Sequence, residues 1–266
     1  MIGLIDFLKA SGMVVNLNNL KIHLACWNGR EHPIEEYYAG RFKKWQEWQG
    51  RRNFDCEHLI GLIDMGRRNW LFAGAYTVLG CKRNADGGCK YSTKLLPGQE
   101  DIIGRIIVHH ERTRQSYIWY RPTTVFPIAE IRRKKLTIEE FPGYNAVILS
   151  HSKLKIIIEQ GITSWHAALS NIKGIYLITD TTTGQHYLGK ADGQVGIWQR
   201  WCSYAKNGHG GNVQLRKVLD SMGQDHVRNF QYSILEIADT HASDADILKR
   251  ESYWMNALKS RGLGLN

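Results

Sequence analysis

Residues 174–180, Gly-Ile-Tyr-Leu-Ile-Thr-Asp, and residues 186–191, His-Tyr-Leu-Gly-Lys-Ala, lie on either side of Thr-Thr-Thr-Gly-Gln (181–185). Two short runs rich in β-branched and aromatic residues around a polar, glycine-bearing turn read as adjacent strands. Downstream, GIWQRWCSYAKN (196–207) and NVQLRKVLDSMG (212–223) predict helices, and FQYSILEIAD (230–239) predicts a third strand. SDADILKRESYWMNALKSRG (243–262) predicts a long helix, with Ser243 as N-cap and Gly262 just past its end. The order β-β-α-α-β-α predicts an α/β domain over 171–266 with a small three-stranded sheet flanked by helices. Upstream, SHSKLKIIIEQG (150–161) predicts a helix capped by Ser152 and stopped by Gly161, and TSWHAALSN (163–171) a second. These two read as a helical connector over 151–170, joined closely to the rest because no Gly/Ser- or Pro-rich linker intervenes.

Chemistry-bearing residues recur through this half in a fixed order. Gly174-Ile175-Tyr176 is followed by Tyr187-Leu188-Gly189, with ten residues between the two tyrosines. Arg200 and Tyr204 come next, one helical turn apart, then Glu251, and Asn266 stands 15 residues after Glu251. In type and order these positions resemble the GIY-YIG nuclease family, over about 95 residues of the chain. Leu188 in place of isoleucine departs from the pattern, at a side chain that should face the sheet interior. The resemblance implies a tyrosine as base or water-positioner, Arg200 on the phosphate and Glu251 on one divalent metal, Mg²⁺ or Mn²⁺, per active site. It also implies that Asn266 orders the site through hydrogen bonds.

The residue types support that chemistry independently. Phosphodiester hydrolysis needs an attacking water, a proton acceptor, charge on the phosphate and help for the leaving oxygen. Tyrosine is an unusual base, with a free pKa near 10, and nearby cations such as Lys190 and Arg200 would lower it. Tyr176 and Tyr187 both qualify. A strand ending at Gly189 would free Lys190 to swing toward the phosphate. Arg200 offers a planar, permanently charged fork, and Tyr204 at i+4 shares its helix face. Mg²⁺ is commonly held by one or two carboxylates plus substrate oxygens and water, which Glu251 satisfies. GHGGN (208–212) is flexible enough to approach a phosphate, with His209 and Asn212 as contacts.

The N-terminal half, 1–150, reads differently. HLIGLIDM and NWLFAGAYTVLG (58–65 and 69–80) predict strands separated by GRRN. DIIGRIIVHHER (101–112) and QSYIWYRP (115–122) predict another strand pair. The expected architecture is a small β-barrel over roughly 55–130, which resembles the PUA-like readers of modified bases. The whole chain is thus expected to be α+β. Trp70, Trp119 and Tyr120 are candidates for stacking on a base, and Arg67, Arg68 and the run 132–135 for phosphate contacts. EEYYAGRFKKWQEWQGRR (35–52) spaces Tyr38, Phe42, Trp45 and Trp48 as on a helix, either as a core stripe or as an aromatic and basic surface for nucleic acid.

Composition fits a packed protein with a polyanionic partner. Of 266 residues, 43% are apolar, which excludes a wholly disordered chain. Mean hydropathy is −0.37 and no apolar run approaches the ~18 residues of a membrane helix, so no membrane partner is expected. No secretory signal or disulfide framework is legible, and the expected compartment is the cytoplasm. Net charge is +10, made up of +8 in residues 1–170 (24 basic, 16 acidic) and +2 in residues 171–266 (11 and 9). Double-stranded DNA is the expected partner. No GxxxxGK[ST], HExxH or GxSxG motif competes. The expectation is a restriction-type endonuclease whose N-terminal domain recognises a sequence or a modified base. A single active site per chain would require a homodimer for double-strand cleavage. The alternatives are a repair or homing-type nicking nuclease, and a non-catalytic DNA- or RNA-binding protein.

Overall fold

A computed structural model describes residues 2–85, 87–193, 196–239 and 241–266. The chain divides into two compact units, residues 1–137 and 138–266. The first carries 22 basic and 13 acidic side chains, a balance of +9, and the second 13 and 12, a balance of +1. Almost all the excess charge therefore belongs to the first unit. Among the described residues no helix is long and apolar enough to cross a membrane.

The first unit contains α1 (Leu4–Ala10), β1 (Leu20–Ala25), α2 (Pro33–Tyr38), α3 (Phe42–Glu47), β2 (Trp48–Gln49) and β3 (His58–Asp64). It continues with β4 (Asn69–Arg83), β5 (Cys89–Leu95), β6 (Ile106–His109), β7 (Tyr117–Trp119) and β8 (Ile128–Ile131). These strands form one curled, half-barrel sheet of eight, in the order β2-β5-β4-β3-β1-β7, with β6 on β4 and β8 on β6. The 15-residue β4 explains the curl. Its first part pairs with β6 and its second with β5, so two strands diverge from one edge. At the split the Gln99 side chain replaces a strand. Its Oε1 accepts from Ala75 N (2.7 Å) and its Nε2 donates to the Ala75 carbonyl (2.7 Å), so both peptide groups of Ala75 are satisfied.

Four expectations for this unit change. Among the described residues no pairing closes the sheet into a barrel. The segments 101–112 and 115–122 do not pair with each other, because β6 lies against β4 and β8 while β7 lies against β1. The single helix expected over 35–52 is broken at Ala39 and Gly40, the latter at φ 68°, into α2 and α3. Trp70 is core: it is 2% exposed and its Nε1 donates to the His110 carbonyl at 2.9 Å. It has no face for a base.

The second unit opens with β9 (Ile148–Ser150), α4 (His151–Gln160) and α5 (Thr163–Ser170). Then come β10 (Lys173–Asp180), β11 (His186–Ala191), α6 (Gly196–Asn207), α7 (Val213–Met222), β12 (Phe230–Ala238), α8 (Asp244–Ala257) and α9 (Ser260–Leu263). The sheet has four strands in the order β11-β10-β12-β9, not three. The added strand moves the boundary. β9 pairs with β12 and α5 packs on α6, so 151–170 belongs to this unit's core and the division falls at 137/138. Ser150, not Ser152, caps α4 by accepting from Lys153 N, while Gly161 ends it at φ 58°. The long helix expected over 243–262 breaks near Lys259, whose φ is 53°, into α8 and α9.

Candidate functional site

Antiparallel partners share a face of the sheet. Tyr176 stands opposite Gly189, and Ile178 opposite Tyr187, on the side covered by α6. Ile175 stands opposite Lys190, and Leu177 opposite Leu188, on the side where the apolar cluster with Ile247 of α8 packs. The edge strand β11 thus presents Tyr187 and Gly189 on one face and Lys190 on the other.

On the α6 face, three tyrosines cluster. Tyr176 Oη and Tyr204 Oη are 3.0 Å apart, and the Tyr187 ring meets the Tyr204 ring edge-on, with centroids 6.4 Å apart. Gly189 is what admits the Tyr176 ring: a Cβ there would sit 2.5 Å from its hydroxyl. Behind the cluster, Trp201 and Tyr232 pack edge-on, and His151 Nδ1 meets Tyr232 Oη at 3.1 Å. Burial pushes the Tyr176 hydroxyl well above the usual tyrosine range, and Arg200 offsets this only in part. Burial and the neighbouring tyrosines raise Tyr204 further. The sequence-based expectation that cations lower these pKa values therefore fails for Tyr176, because desolvation outweighs the guanidinium.

On the other face, β11 runs on to Ala191, so the strand does not end at Gly189. Lys190 is held by Asp192 at 2.7 Å instead of swinging free, which raises the lysine pKa and lowers that of the aspartate. Glu251 lies within the electrostatic reach of Lys190, Asp192, Arg200 and Arg261. Burial raises its carboxyl pKa, and among the described residues that carboxylate has no hydrogen bond or ion pair. The flanking residues fix the helix. Arg250 Nη1 and Trp254 Nε1 donate to Glu236 on β12 at 2.9 and 2.8 Å. Among the described residues no group of three or more His, Cys, Asp and Glu converges. A half-buried carboxylate that has no partner among the described residues, with Asp192 in electrostatic reach, still fits Mg²⁺ or Mn²⁺, which takes much of its coordination from substrate phosphate and water.

The chain's last residues brace the same strand. Leu188 N donates to Asn266 Oδ1 (2.9 Å) and Asn266 Nδ2 donates to the Leu188 carbonyl (2.7 Å). Leu265 N donates to the His186 carbonyl at 2.9 Å. Asn266 is therefore tied to the edge strand between Tyr187 and Gly189. Asn212 serves as the N-cap of α7, its Oδ1 accepting from Leu215 N at 2.9 Å. That engages its side-chain oxygen, whereas a phosphate contact would use the Nδ2 donor. His209 Nδ1 accepts from Gly211 N at 3.0 Å, within a loop whose Gly210 (φ 55°) lies against the Tyr204 ring.

The first-unit candidates do not gather into one place. Arg67 and Arg68 are exposed at the tip between β3 and β4, and Arg68 pairs with Glu111 at 3.1 Å. Trp119 is 46% exposed, with Lys21 Nζ 4.5 Å from its ring centroid. Sequence reasoning missed Asp192 and Arg261; the one available signal was Asp192 lying two residues beyond Lys190.

No protein-family model matches the chain, and no curated protein matches it. Among solved structures, the chain is similar to the catalytic domain of the homing endonuclease I-TevI. Identity is 28%, covering 35% of this chain and 96% of that one, with a TM-score of 0.29. A point mutant of the catalytic domain of intron endonuclease I-TevI matches at 26% identity, over 36% of this chain and 92% of that one, with the same TM-score of 0.29.

Proposed function

We propose that this chain is a divalent-metal-dependent endonuclease acting on DNA, with its active site at the β11 edge of the second unit and its recognition surface on the first. The observation that carries the reading is the gathering around the edge strand of Tyr176, Tyr187 and Tyr204, two cations, and a carboxylate that has no hydrogen bond or ion pair among the described residues.

In this reading Arg200, exposed on α6, binds the scissile phosphate through its guanidinium fork. Lys190, steadied by Asp192, adds positive charge beside it. Tyr187 positions the attacking water and accepts its proton. Tyr204, hydrogen-bonded to Tyr176 and packed edge-on against Tyr187, holds the tyrosine cluster in place. Glu251 would hold Mg²⁺ or Mn²⁺, with Asp192 nearby. When bound, that ion supplies charge neutralisation on the phosphate and the leaving oxygen. Asn266 fixes the strand from which Tyr187 projects.

The biological role we infer is restriction-type, with the +9 first unit supplying recognition of sequence or of a modified base. A repair or homing-type nicking enzyme is the alternative, and double-strand cutting by one site per chain would use a homodimer. The test is incubation with Mg²⁺ and two versions of one plasmid: unmodified, and carrying methylated or hydroxymethylated cytosine. Cleavage that vanishes in Glu251→Ala is expected. Tight binding with no cleavage of either plasmid would instead mark a non-catalytic binding protein.

A further inference from the structure

We propose that an aromatic cleft in the first unit takes a single unstacked nucleobase, with the adjoining arginine-lined groove holding its backbone phosphates. The proposal deepens the DNA reading above and rests on it for the identity of the polymer.

The cleft has a volume of about 480 Å³ and is walled by His23, Trp27, Trp45, Trp48 and Tyr117. That size falls within the ~300–1,000 Å³ of small-molecule sites. Trp27 and Trp48 are 60% and 52% exposed, unusual for the largest apolar side chain and costly unless a partner covers it. A nucleobase needs flat faces to stack on and polar groups to read its edge. The tryptophans supply the faces, and Gln49, Asn53 and Ser116 line the same cavity with hydrogen-bonding groups.

The deepest polar group is His23, 4% exposed. Its Nδ1 lies 3.1 Å from Gln46 Oε1, and its ring stacks on Trp45 at 6.0 Å. With the proton on Nδ1 facing Gln46 Oε1, Nε2 would be left as an acceptor. Burial keeps the ring neutral, its pKa pulled down to about 4. Gly61 makes room for this pair, since a Cβ there would stand 2.6 Å from Gln46 Oε1. Among the described residues, Trp45 Nε1 and Gln46 Nε2 are buried donors without partners. Such orphans are rare in native proteins and call for an explanation, a bound ligand or water being one. Arg114 and Glu31 on the lining are opposite in charge, which suits a neutral ring, and the unit's surplus of positive charge suits a polyanion that carries it.

The neighbouring groove, about 460 Å³, shares Cys26 and Trp27 with the cleft and is lined by Arg67, Arg68 and Arg112. Arg67 and Arg68 sit at φ 52° and 64°. Hairpin turns with two left-handed residues favour asparagine and glycine, so two arginines there are held at a conformational cost. The Arg68–Glu111 pair is largely solvated and exchanges readily for a phosphate.

The test uses the full-length chain in EDTA and fluorescence anisotropy with three probes: a paired duplex, the same duplex with one mismatch, and its single strand. A mismatched base leaves the stack most easily, so the mismatched duplex is expected to bind more tightly than the paired one. Tight single-strand binding without a mismatch preference would assign the cleft to single-stranded DNA. Trp27→Ala and Trp48→Ala, at exposed positions, are expected to weaken the favoured probe by roughly 5- to 150-fold and to erase the preference among probes. Binding of all probes within about twofold of wild type in both variants would overturn the proposal. Cleavage in Mg²⁺, measured in parallel, separates the two readings. Cleavage with unaltered binding in the variants overturns the cleft alone. A lost preference in a chain that never cleaves overturns the nuclease reading alone. Absence of binding to any probe overturns both.

Discussion

Gly189→Ala tests the site at its tightest point. The new methyl would stand 2.5 Å from the Tyr176 hydroxyl, whereas ordinary contacts of this kind begin at 3.4 Å, so the ring must retreat by about 1 Å. It has nowhere to go. Tyr176 is 1% exposed, with Trp201 edge-on at 6.4 Å and Tyr204 at 5.9 Å between ring centroids. Overpacking of this kind costs about 1–3 kcal/mol, which lowers the melting temperature of a unit this size by several degrees. A displacement of about 1 Å in a catalytic group costs on the order of 10²-fold in rate. Single-turnover plasmid cleavage and thermal unfolding read the two effects. Tyr176→Ala supplies the control: with the ring gone, the stability penalty of Gly189→Ala should disappear, giving a coupling energy of about 1–3 kcal/mol. Wild-type cleavage and melting in Gly189→Ala, or the same penalty in both backgrounds, would refute the argument.

Three further outcomes are expected. Glu251 has a carboxyl pKa raised by burial, so its protonated form is favoured in the fold and its stabilising contribution, present at low pH, is lost as pH rises through the raised value. Glu251→Gln should therefore abolish cleavage while leaving thermal stability at neutral pH equal or higher, and wild-type cleavage should fall as pH drops into the acid range. Asn266→Ala removes two hydrogen bonds worth about 1 kcal/mol each; amide exchange at Leu188 should accelerate and cleavage should slow. Arg67→Ala should weaken DNA binding without changing probe preference, lowering the salt slope of log K by about 1.

The second unit was legible because its signals are local. Ser243 Oγ accepts from Asp246 N at 3.1 Å, and Gly161 takes the left-handed conformation its position requires. The alternation through 174–180 and 186–191 fixed which residues face α6. What escaped depended on distant partners. β9 has three residues, too few for a periodic pattern, and becomes a strand only by pairing with β12 some 80 positions on. In the first unit β1 and β3 pair in parallel across an intervening helical segment, so neighbouring runs in sequence are not neighbours in the sheet. Trp70 and Trp119 look alike as aromatic strand residues, yet one is core and the other exposed. The aromatic cleft is assembled from segments near 23–31, 45–53 and 114–117, and only the middle one carried a visible stripe. Asp192 offered only its place two residues beyond Lys190, and the fold is what turns that spacing into a 2.7 Å ion pair.

Burial also separates the roles of the three tyrosines. Tyr176 and Tyr204 have hydroxyl pKa values driven far above the ordinary range by desolvation, so both keep their protons at neutral pH and serve as donors or spacers. Tyr187 is the half-buried member and the one whose strand is clamped by Asn266. A base must reach water, and of the three only Tyr187 has solvent access without first breaking a core contact. Tyr187→Phe should then cost about 10²–10⁴-fold in single-turnover cleavage, the range for a lost general base. Tyr176→Phe, which removes one buried hydrogen bond, should cost about tenfold. The pair is measured at one saturating metal concentration across the pH range in which the wild type is active. A larger loss in Tyr176→Phe than in Tyr187→Phe would reverse the assignment, because it would mean that desolvation does not decide which hydroxyl releases its proton.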